Sequence, residues 1–295
     1  MKVLFIGTVK FSKSMLRVLI KEKVEIVGVV TSLDDDLNSD YSDLRPLCKK
    51  ENIPFHVTKD INSKKSIKWI SSLDPNLITC FGWSRLLKKE LLGIPGLGVL
   101  GFHPAELPKN RGRHPIIWSL VLGLTKTAST FFFMGEGADD GDVVSQEEIK
   151  IKAKDNSSTL YEKITKMAEK QLSTIINQLN KGIYTLSPQD HSKSNVWRKR
   201  KEEDGEIDWR MGAESIHNLV RALTNPYPGA HFFFKEKKYK VWRTRINKIK
   251  SFSNIEPGKV IKIKKDKSML VKCADFSIEI IEFEPSLKIK AGDYL

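Results

Sequence analysis

Short apolar runs alternate with amphipathic helical segments through residues 1–182, and this alternation restricts the fold more than any other feature. Buried strands are predicted at 3–6, 24–31, 55–57, 77–81, 98–100, 127–134 and 143–151. Helical segments lie between them, and Ser12 and Ser157 are the predicted N-caps of two of these helices. The pattern favours an α/β fold, a Rossmann-like and mainly parallel sheet with helices on both faces. No Gly-x-Gly-x-x-Gly sequence follows the first strand, so no dinucleotide cofactor is indicated.

The rest of the chain has a different pattern. Residues 182–205 are polar and basic, and a helix predicted at 215–223 is stopped by Asn225-Pro226-Tyr227-Pro228-Gly229. Five short strands follow, at 231–234, 239–245, 258–263, 269–273 and 276–283, which is typical of a small OB-like β-barrel. We therefore expect an N-terminal α/β domain (1–185), a linker (186–205) and a C-terminal OB-like domain (206–295).

The composition indicates a cytoplasmic protein without a membrane span. No stretch approaches 18 consecutive apolar residues, and the apolar run at 3–6 is too short for a secretory signal. The three cysteines, Cys48, Cys80 and Cys273, are widely spaced, which indicates reduced thiols and neither a disulfide frame nor a zinc site. We expect no metal cofactor and no membrane partner.

The formal net charge of +14 at pH 7 suits an anionic partner. A nucleic acid or a small anionic substrate such as a nucleotide diphosphate would satisfy it, and a lysine-rich composition without functional meaning is an equal alternative. Basic residues cluster at 193–201 and 235–250, whereas the loop at 34–43 contains five Asp residues.

Two polar segments follow predicted strands in the stretch 101–142. His103 leaves the strand at 98–100, and Asp139 lies in the loop after the strand at 127–134. Chemistry in an open α/β sheet collects at strand ends, so we expect this imidazole and carboxylate at the same edge, as a base and its orienting group. Each residue alone also has a structural explanation, a hydrogen-bonded His and an Asx-rich turn.

Taken together, the two segments resemble those of the 10-formyltetrahydrofolate-dependent formyltransferases. That family carries Asn-x-His-x-x-x-Leu-Pro-x-x-Arg-Gly and then an Asp-x-Gly loop. The match here covers His103, Leu107, Pro108, Arg111, Gly112, Asp139 and Gly141. The resemblance extends over nearly the whole chain. It implies a catalytic domain followed by an OB-like domain, and 10-formyltetrahydrofolate as the formyl donor.

The resemblance also implies roles for individual residues. His103 would be the general base, and Asp139 would fix its tautomer. The implied folate-binding positions are Arg85, Leu86, Leu87, Arg113, Gly135, Glu136, Gly137, Ala138 and Asp139. One position departs from the family: Gly101 stands where the family has the Asn of Asn-x-His, which helps to hold the oxyanion of the tetrahedral intermediate. Asn110, His114 or a water molecule are the candidates to replace that Asn.

Three segments, at 204–209, 217–222 and 225–230, resemble the branch of the family that formylates nucleotide-linked amino sugars. The candidates for the substrate pocket are Lys10, Trp83, Arg200 and Tyr227. The methionyl-tRNA branch has a basic insertion after the second strand, whereas the loop at 34–43 is acidic here and would repel phosphates. We therefore expect a nucleotide-linked amino sugar as substrate, a 4-amino-4,6-dideoxyhexose used in lipopolysaccharide or other glycan synthesis, and not tRNA.

Three alternatives stay open. The chain could formylate methionyl-tRNA, it could formylate glycinamide ribonucleotide, or it could be a non-catalytic relative that binds folate or nucleotide. The C-terminal domain argues against glycinamide ribonucleotide, and the retention of both His103 and Asp139 argues against a non-catalytic relative. Exposed strands of the predicted barrel could pair two chains, which makes a homodimer a further expectation.

Overall fold

The computed structural model describes residues 1–33, 39–248 and 254–295. The chain divides into two compact units. The first contains Met1–Pro115, Thr127–Ile149 and Glu162–Trp197, and the second contains Ile116–Lys126, Lys150–Tyr161 and Arg198–Leu295. Positions 34–38 of the acidic loop and positions 249–250 of the second basic cluster lie outside the described residues. The domain boundaries at 185 and 205 stay a prediction.

The secondary structure of the described residues contains the predicted strands and helices. The strands are β1 (Lys2–Ile6), β2 (Glu25–Thr31), β3 (Phe55–Val57), β4 (Leu77–Cys80), β5 (Val99–His103), β6 (Arg111–Gly112), β7 (Lys126–Phe133), β8 (Val143–Lys150), β9 (Val196–Trp197), β10 (Ala230–Phe234), β11 (Lys237–Asn247), β12 (Val260–Ile263), β13 (Met269–Lys272) and β14 (Ser277–Glu284). The α-helices are α1 (Lys10–Lys21), α2 (Arg45–Lys50), α3 (Lys64–Ser72), α4 (Lys89–Leu92), α5 (Pro115–Val121), α6 (Ser157–Lys181) and α7 (Ala213–Leu223). The sequence pattern does not predict the short elements β6, β9, α4 and α5.

A seven-stranded sheet forms the centre of the first unit, in the order β3-β2-β1-β4-β5-β7-β8. The pairs from β3 to β5 are parallel, and β7 runs antiparallel to β5. Strands covered on both faces are apolar throughout, and residues 3–6 of β1 are accordingly 0% exposed. The predicted Rossmann-like, mainly parallel sheet is confirmed.

Phenylalanine rings fill the core at β5 and β7. Phe131 makes edge-to-face contacts with Phe81 at 5.5 Å and with Phe102 at 5.0 Å between ring centroids. Phe102 also stacks on Phe11 at 4.4 Å. Such pairs contribute roughly 0.5–1.5 kcal/mol each beyond the burial of their area. They hold β5, whose last residue is His103, against the centre of the sheet.

The start of α1 differs from the prediction. Ser12 was predicted as the N-cap, but the helix begins at Lys10. The buried Ser12 hydroxyl accepts hydrogen bonds from the backbone N–H groups of Thr8 and Val9, at 3.1 Å each, and donates to the carbonyl of Phe81. The prediction was wrong because this hydroxyl joins the end of β1 to the end of β4.

The start of α6 also differs. Ser157 was predicted as the N-cap, but it is the first helical residue, and its hydroxyl donates to the carbonyl of Thr224 at 2.8 Å. The side chains of Asn156 and Thr159 each accept the backbone N–H of the other at 3.0 Å. This is a capping box with Thr at the position usually taken by Glu, so Asn156 is the cap. Gly182 follows the helix at φ +68°, and the predicted end of the helix is confirmed.

A five-stranded antiparallel sheet forms the second unit, in the order β10-β11-β14-β13-β12, with α7 packed against β11. The register between β11 and β14 shifts twice near Arg243, and such bulges curve a sheet as a small barrel requires. The predicted small β domain is confirmed. No helix among residues 1–33, 39–248 and 254–295 is both long and apolar enough to cross a membrane.

His217 of α7 makes the stability of the chain depend on pH. Burial lowers the pKa of His217, the nearby Arg221 lowers it further, and Nδ1 lies 2.9 Å from Thr244 Oγ1. The unfolded chain therefore takes up a proton at this imidazole more readily than the folded chain. We expect the free energy of unfolding to fall as the pH decreases from about 7 to about 5, through the ordinary histidine pKa of about 6.5.

Urea unfolding followed by tryptophan fluorescence at several pH values measures this dependence. In His217→Gln the free energy of unfolding should change less with pH, whatever the stability of the variant at neutral pH. Equal slopes in the two proteins would contradict this assignment.

Candidate functional site

His103 and Asp139 lie together in the first unit. His103 ends β5 and is 4% exposed, and its Nδ1 lies 3.4 Å from Asp139 Oδ2. The same carboxylate oxygen accepts a hydrogen bond from the Gly112 N–H at 2.9 Å. The other ring nitrogen, Nε2, lies 2.7 Å from the backbone carbonyl oxygen of Asn110. The imidazole thus stands between a carboxylate and a carbonyl.

Both ring nitrogens of His103 face acceptors, although a neutral imidazole has one N–H only. The short contact favours an Nε2–H that donates to Asn110 O, which leaves Nδ1 without a proton toward Asp139. An imidazolium satisfies both partners. In the other neutral tautomer Nδ1 carries the proton and donates it to Asp139, so Nε2 is free to accept a proton. This tautomer cannot donate to the Asn110 carbonyl, and Nε2 must therefore move away from that oxygen. An imidazole and a carboxylate in this arrangement can act as a base and its orienting group, and the loop at residue 110 covers the imidazole.

The two residues meet by a different route from the one predicted. Because β7 is antiparallel to β5, the carboxyl ends of these strands point to opposite edges, and His103 pairs with Thr130 inside β7. Asp139 approaches His103 because the segment after β7 folds back on the strand. A Cβ on Gly141 would lie 1.7 Å from the Phe133 carbonyl oxygen, so only glycine permits this fold. The expectation of a shared sheet edge was wrong.

The segment at 187–197 holds the loop that carries Asn110, and β9 of this segment pairs in parallel with β6. The backbone N–H groups of residues 110–113 all have acceptors. These are Asn195 Oδ1 at 2.9 Å, Asn195 O at 3.1 Å, Asp139 Oδ2 at 2.9 Å and Trp197 O at 3.0 Å, in chain order. No sequence motif indicates a functional residue in this segment.

Gln189 joins the two loops of the site. Its Oε1 accepts hydrogen bonds from Arg111 Nε at 3.2 Å and from Arg111 Nη2 at 2.7 Å. Its Nε2 donates to the carbonyls of Asp139 at 2.9 Å and of Gly141 at 2.6 Å. The sequence does not reveal the position of Gln189, because a single Gln in a polar stretch carries no motif or periodicity that distinguishes it from a surface residue.

Gly101 lies inside β5, opposite Phe132 of β7. A Cβ at this position would lie 2.7 Å from Met134 Cγ and 3.1 Å from Phe132 Cζ. Met134 packs against the buried core of the first unit. Packing against Met134, and not an unusual backbone conformation, is therefore what requires glycine at this position.

The segment after β4 carries the first group of residues implied to bind folate. Arg85 lies 5.9 Å from the centroid of the Trp83 ring. Leu86 is 69% exposed, whereas Leu87 is buried. The carbonyl of Leu86 accepts a hydrogen bond from Asn62 Nδ2 at 2.9 Å, which fixes the backbone of the segment.

The turn after β7 carries the second group, which consists of Gly135, Glu136, Gly137 and Ala138. Gly137 N–H donates to Asp140 Oδ2 at 3.1 Å. A Cβ on Gly137 would lie 2.2 Å from the Asp140 carboxylate, and a Cβ on Gly135 would lie 2.6 Å from it. The glycines therefore let this carboxylate lie on the turn.

Two buried polar atoms of these segments have no hydrogen-bond partner among the described residues. They are Trp83 Nε1, a donor, and Asp140 Oδ1, an acceptor. Buried polar groups are normally paired. A pterin ring presents both donors and acceptors at its edge, so the two segments fit a folate. Arg113 Nη1 donates to Ser84 O at 2.7 Å and so links the first segment to the His103 loop.

The candidates for the substrate pocket are divided between the units. Lys10 is exposed at the start of α1, and Trp83 packs against the core of the first unit. Arg200 and Tyr227 belong to the second unit. Arg200 is 9% exposed, and its guanidinium carbon lies 4.7 Å from the centroid of the Trp118 ring. This packing gives Arg200 a structural role, and its contact with a substrate stays a prediction.

Two family models match the chain. The model described as formyl transferase matches residues 1–176, and the model described as formyl transferase, C-terminal domain, matches residues 199–294. Among curated proteins, the methionyl-tRNA formyltransferase of Ruminiclostridium cellulolyticum is 31% identical over 301 residues, which covers 100% of this chain and 96% of that protein.

Solved structures share the fold. The N-formyltransferase from Helicobacter canadensis, in a complex with folinic acid and dTDP-3-aminofucose, is 16% identical with a TM-score of 0.71 and covers 95% of this chain and 98% of its own. HypX from Aquifex aeolicus, in a complex with tetrahydrofolic acid, is 16% identical with a TM-score of 0.65 over 95% of this chain. This chain spans 43% of HypX.

Gln189 should be required for the geometry of the site. Gln189→Ala removes the acceptor of Arg111 Nε and leaves Nη2 only His191 Nδ1, at 3.2 Å, which costs about 1–3 kcal/mol of stability. It also frees the Asp139 loop, so we expect turnover to fall by about 10- to 100-fold through misplacement of the carboxylate. Asn180→Ala, which removes an exposed amide from α6, is the matched control. Thermal unfolding and kcat measure both effects, and unchanged turnover would refute the positioning role.

Proposed function

The chain belongs to the formyl transferase family, and we propose that its acceptor is the amine of a nucleotide-linked amino sugar. The formyl donor of this family is 10-formyltetrahydrofolate, whose pterin would be held by the segments at 83–87 and 135–140. The reaction replaces the bond between the formyl carbon and the folate N10 by a bond to the sugar nitrogen, which loses one proton while N10 gains one.

In this proposal His103 takes the proton of the attacking amine at Nε2. Asp139 lies 3.4 Å from Nδ1, where it fixes the required tautomer and stabilises the imidazolium that forms. The Gly112 N–H keeps the carboxylate in place. Since Nε2 lies 2.7 Å from Asn110 O, the loop has to release the ring before an amine can approach it.

The observation that carries the choice of acceptor is the pairing of charges on β11. Three of its cations face carboxylates, in the pairs Lys238–Glu202, Arg243–Glu282 at 3.7 Å and Arg245–Glu279 at 3.9 Å. Binding to the phosphates of a tRNA depends on uncompensated cations. Carboxylates thus pair three of the five cations of this strand, which supports a small anionic acceptor.

The identity of the acceptor follows from the sequence resemblance. We propose a 4-amino-4,6-dideoxyhexose that is linked to a nucleotide diphosphate and used in lipopolysaccharide or other glycan synthesis. Lys10, Trp83, Arg200 and Tyr227 are the proposed contacts. The Helicobacter protein of the same fold was crystallised with dTDP-3-aminofucose, which supports a nucleotide-linked amino sugar.

The location and the assembly are proposals as well. The three cysteines are free and buried, which supports a reducing, cytoplasmic location. The strand β10 lies at the end of the antiparallel sheet, and it supports a homodimer formed by strand pairing.

Methionyl-tRNA is the second candidate acceptor. The full-length match at 31% identity to a methionyl-tRNA formyltransferase favours it. Formylation of methionyl-tRNA that weakens steeply with added salt would establish this function, since phosphate contacts make binding depend on salt.

We expect turnover with 10-formyltetrahydrofolate and one member of a panel of nucleotide-linked 3-amino and 4-amino sugars. Mass spectrometry should detect the gain of one formyl group on that sugar. Methionyl-tRNA is the comparison substrate in the same assay. Formylation of the tRNA without formylation of any sugar would refute the proposed acceptor.

We expect His103→Ala to lower kcat by about 10²- to 10⁴-fold, because the general base is lost. Asp139→Asn should also lower kcat strongly, although it retains an oxygen acceptor for the Gly112 N–H. His56→Ala is the control for loss of an imidazole, since His56 lies on β3 at the far end of the sheet. Circular dichroism verifies the fold, and near-normal turnover of a folded His103→Ala protein would refute the mechanism.

A further inference from the structure

The resemblance to the family implies a donor side chain on the strand at position 101, where this chain has glycine, and Met134 occupies the space that such a side chain would need. In acyl transfer, negative charge develops on the carbonyl oxygen, and one preorganised donor to it contributes about 10²- to 10³-fold in rate. A replacement donor has to come from groups beside His103. The loop at 110–114 is the segment that covers this base.

Most donors of this loop are already bound. The backbone N–H groups of residues 110–113 each have an acceptor. Arg111 gives Nε and Nη2 to Gln189, and Arg113 gives Nη1 to Ser84 O. His114 has a further interaction in the structure and is not free.

The side chain of Asn110 differs from these groups. Its carboxamide makes no hydrogen bond with any residue that the structure describes, although its backbone is held on both sides. The N–H donates to Asn195 Oδ1 at 2.9 Å, and the carbonyl oxygen lies 2.7 Å from His103 Nε2. Its φ of +62° lies in the left-handed region, which Asn tolerates better than most residues. The Asn110 backbone is bonded to Asn195 and lies beside the base, so its unbonded amide is available there as a donor.

We propose that the Asn110 carboxamide donates a hydrogen bond to the formyl oxygen and so replaces the asparagine absent at position 101. Asn110 is then a catalytic residue, and Asn195 is a positioning residue that fixes the Asn110 backbone. The role of Asn110 rests on the formyl-transfer reaction. The proposed sugar acceptor is needed only for the tests that measure turnover.

The first test needs no acceptor. 10-Formylfolate with a ¹³C-labelled formyl group is bound to the protein, and infrared difference spectroscopy measures the stretching frequency of its formyl carbonyl. A hydrogen bond from Asn110 lowers this frequency, so Asn110→Ala should raise it while titration shows that binding is retained. An unchanged frequency in Asn110→Ala, or a rise in His114→Ala alone, overturns the proposal.

The second test moves the donor back to the strand. Asn110→Ala should lower kcat by about 10²- to 10³-fold with little change in the KM for folate. Adding Gly101→Asn together with Met134→Ala to this variant should recover kcat and lower the carbonyl frequency again, because the new side chain then has room. Gly101→Asn without Met134→Ala should recover neither, because Met134 still fills the place.

Variants of Asn195 test whether it positions Asn110 or only stabilises the fold. Asn195→Asp keeps an acceptor for the Asn110 N–H and should retain turnover, whereas Asn195→Leu should lower kcat without unfolding the chain. Loss of one such donor lowers kcat by about 10²- to 10³-fold. The proposal is therefore overturned if the kcat of Asn110→Ala lies within about twofold of the wild-type value. If the wild-type protein formylates none of the sugars, the proposed acceptor fails, and the infrared test still decides the role of Asn110.

Discussion

Four consecutive backbone N–H groups, at residues 110–113, determine the shape of the site because each donates to a separate acceptor. Three of the acceptors belong to residues 195 and 197, and the fourth is the Asp139 carboxylate. An amide left without a partner costs about 1–3 kcal/mol when it is buried, so a movement of the loop that breaks these bonds is costly. The bonds that hold the loop over His103 also fix the Asp139 carboxylate beside it.

The fold and the central pair of residues could be predicted from the sequence, but the connection between them could not. Apolar periodicity marks the strands, and the spacing of polar residues after two of them marks His103 and Asp139. A buried strand has the same apolar pattern in either direction, so the reversal of β7 leaves no trace in the sequence. Gln189 and Asn195 are single amides in irregular backbone, where neither periodicity nor a motif identifies them. The hydroxyls of Ser12 and Ser157 show the same limit, because a local signal does not reveal a distant acceptor.

Backbone strain is concentrated in the same loops. Asn110, His114 and Asp139 have φ values of +62°, +56° and +52°, and such conformations cost of order 1–3 kcal/mol each unless the surroundings impose them. The bonds to residues 195–197 and the amide of Gln189 are the surroundings that impose them here. These bonds therefore hold the loop that covers His103 Nε2 in a conformation that its own backbone does not favour.

Glycine at position 101 couples the packing of the core to the proposed position of the oxyanion donor. A donor on β5 would be rigid but would need the volume that Met134 occupies, so a side chain at 101 and Met134 exclude each other. In the proposed mechanism the donor lies on the loop at 110, and the residue that polarises the formyl group is also the residue whose carbonyl covers His103. Uncovering the base and aligning the donor then become one movement, and no donor is held in place by the strand. Sites on loops are less rigid than sites on strands, so the accuracy of this site depends on the segment at 187–197. Under this proposal, glycine in the core of the sheet makes the polar segment at 187–197 part of the catalytic apparatus.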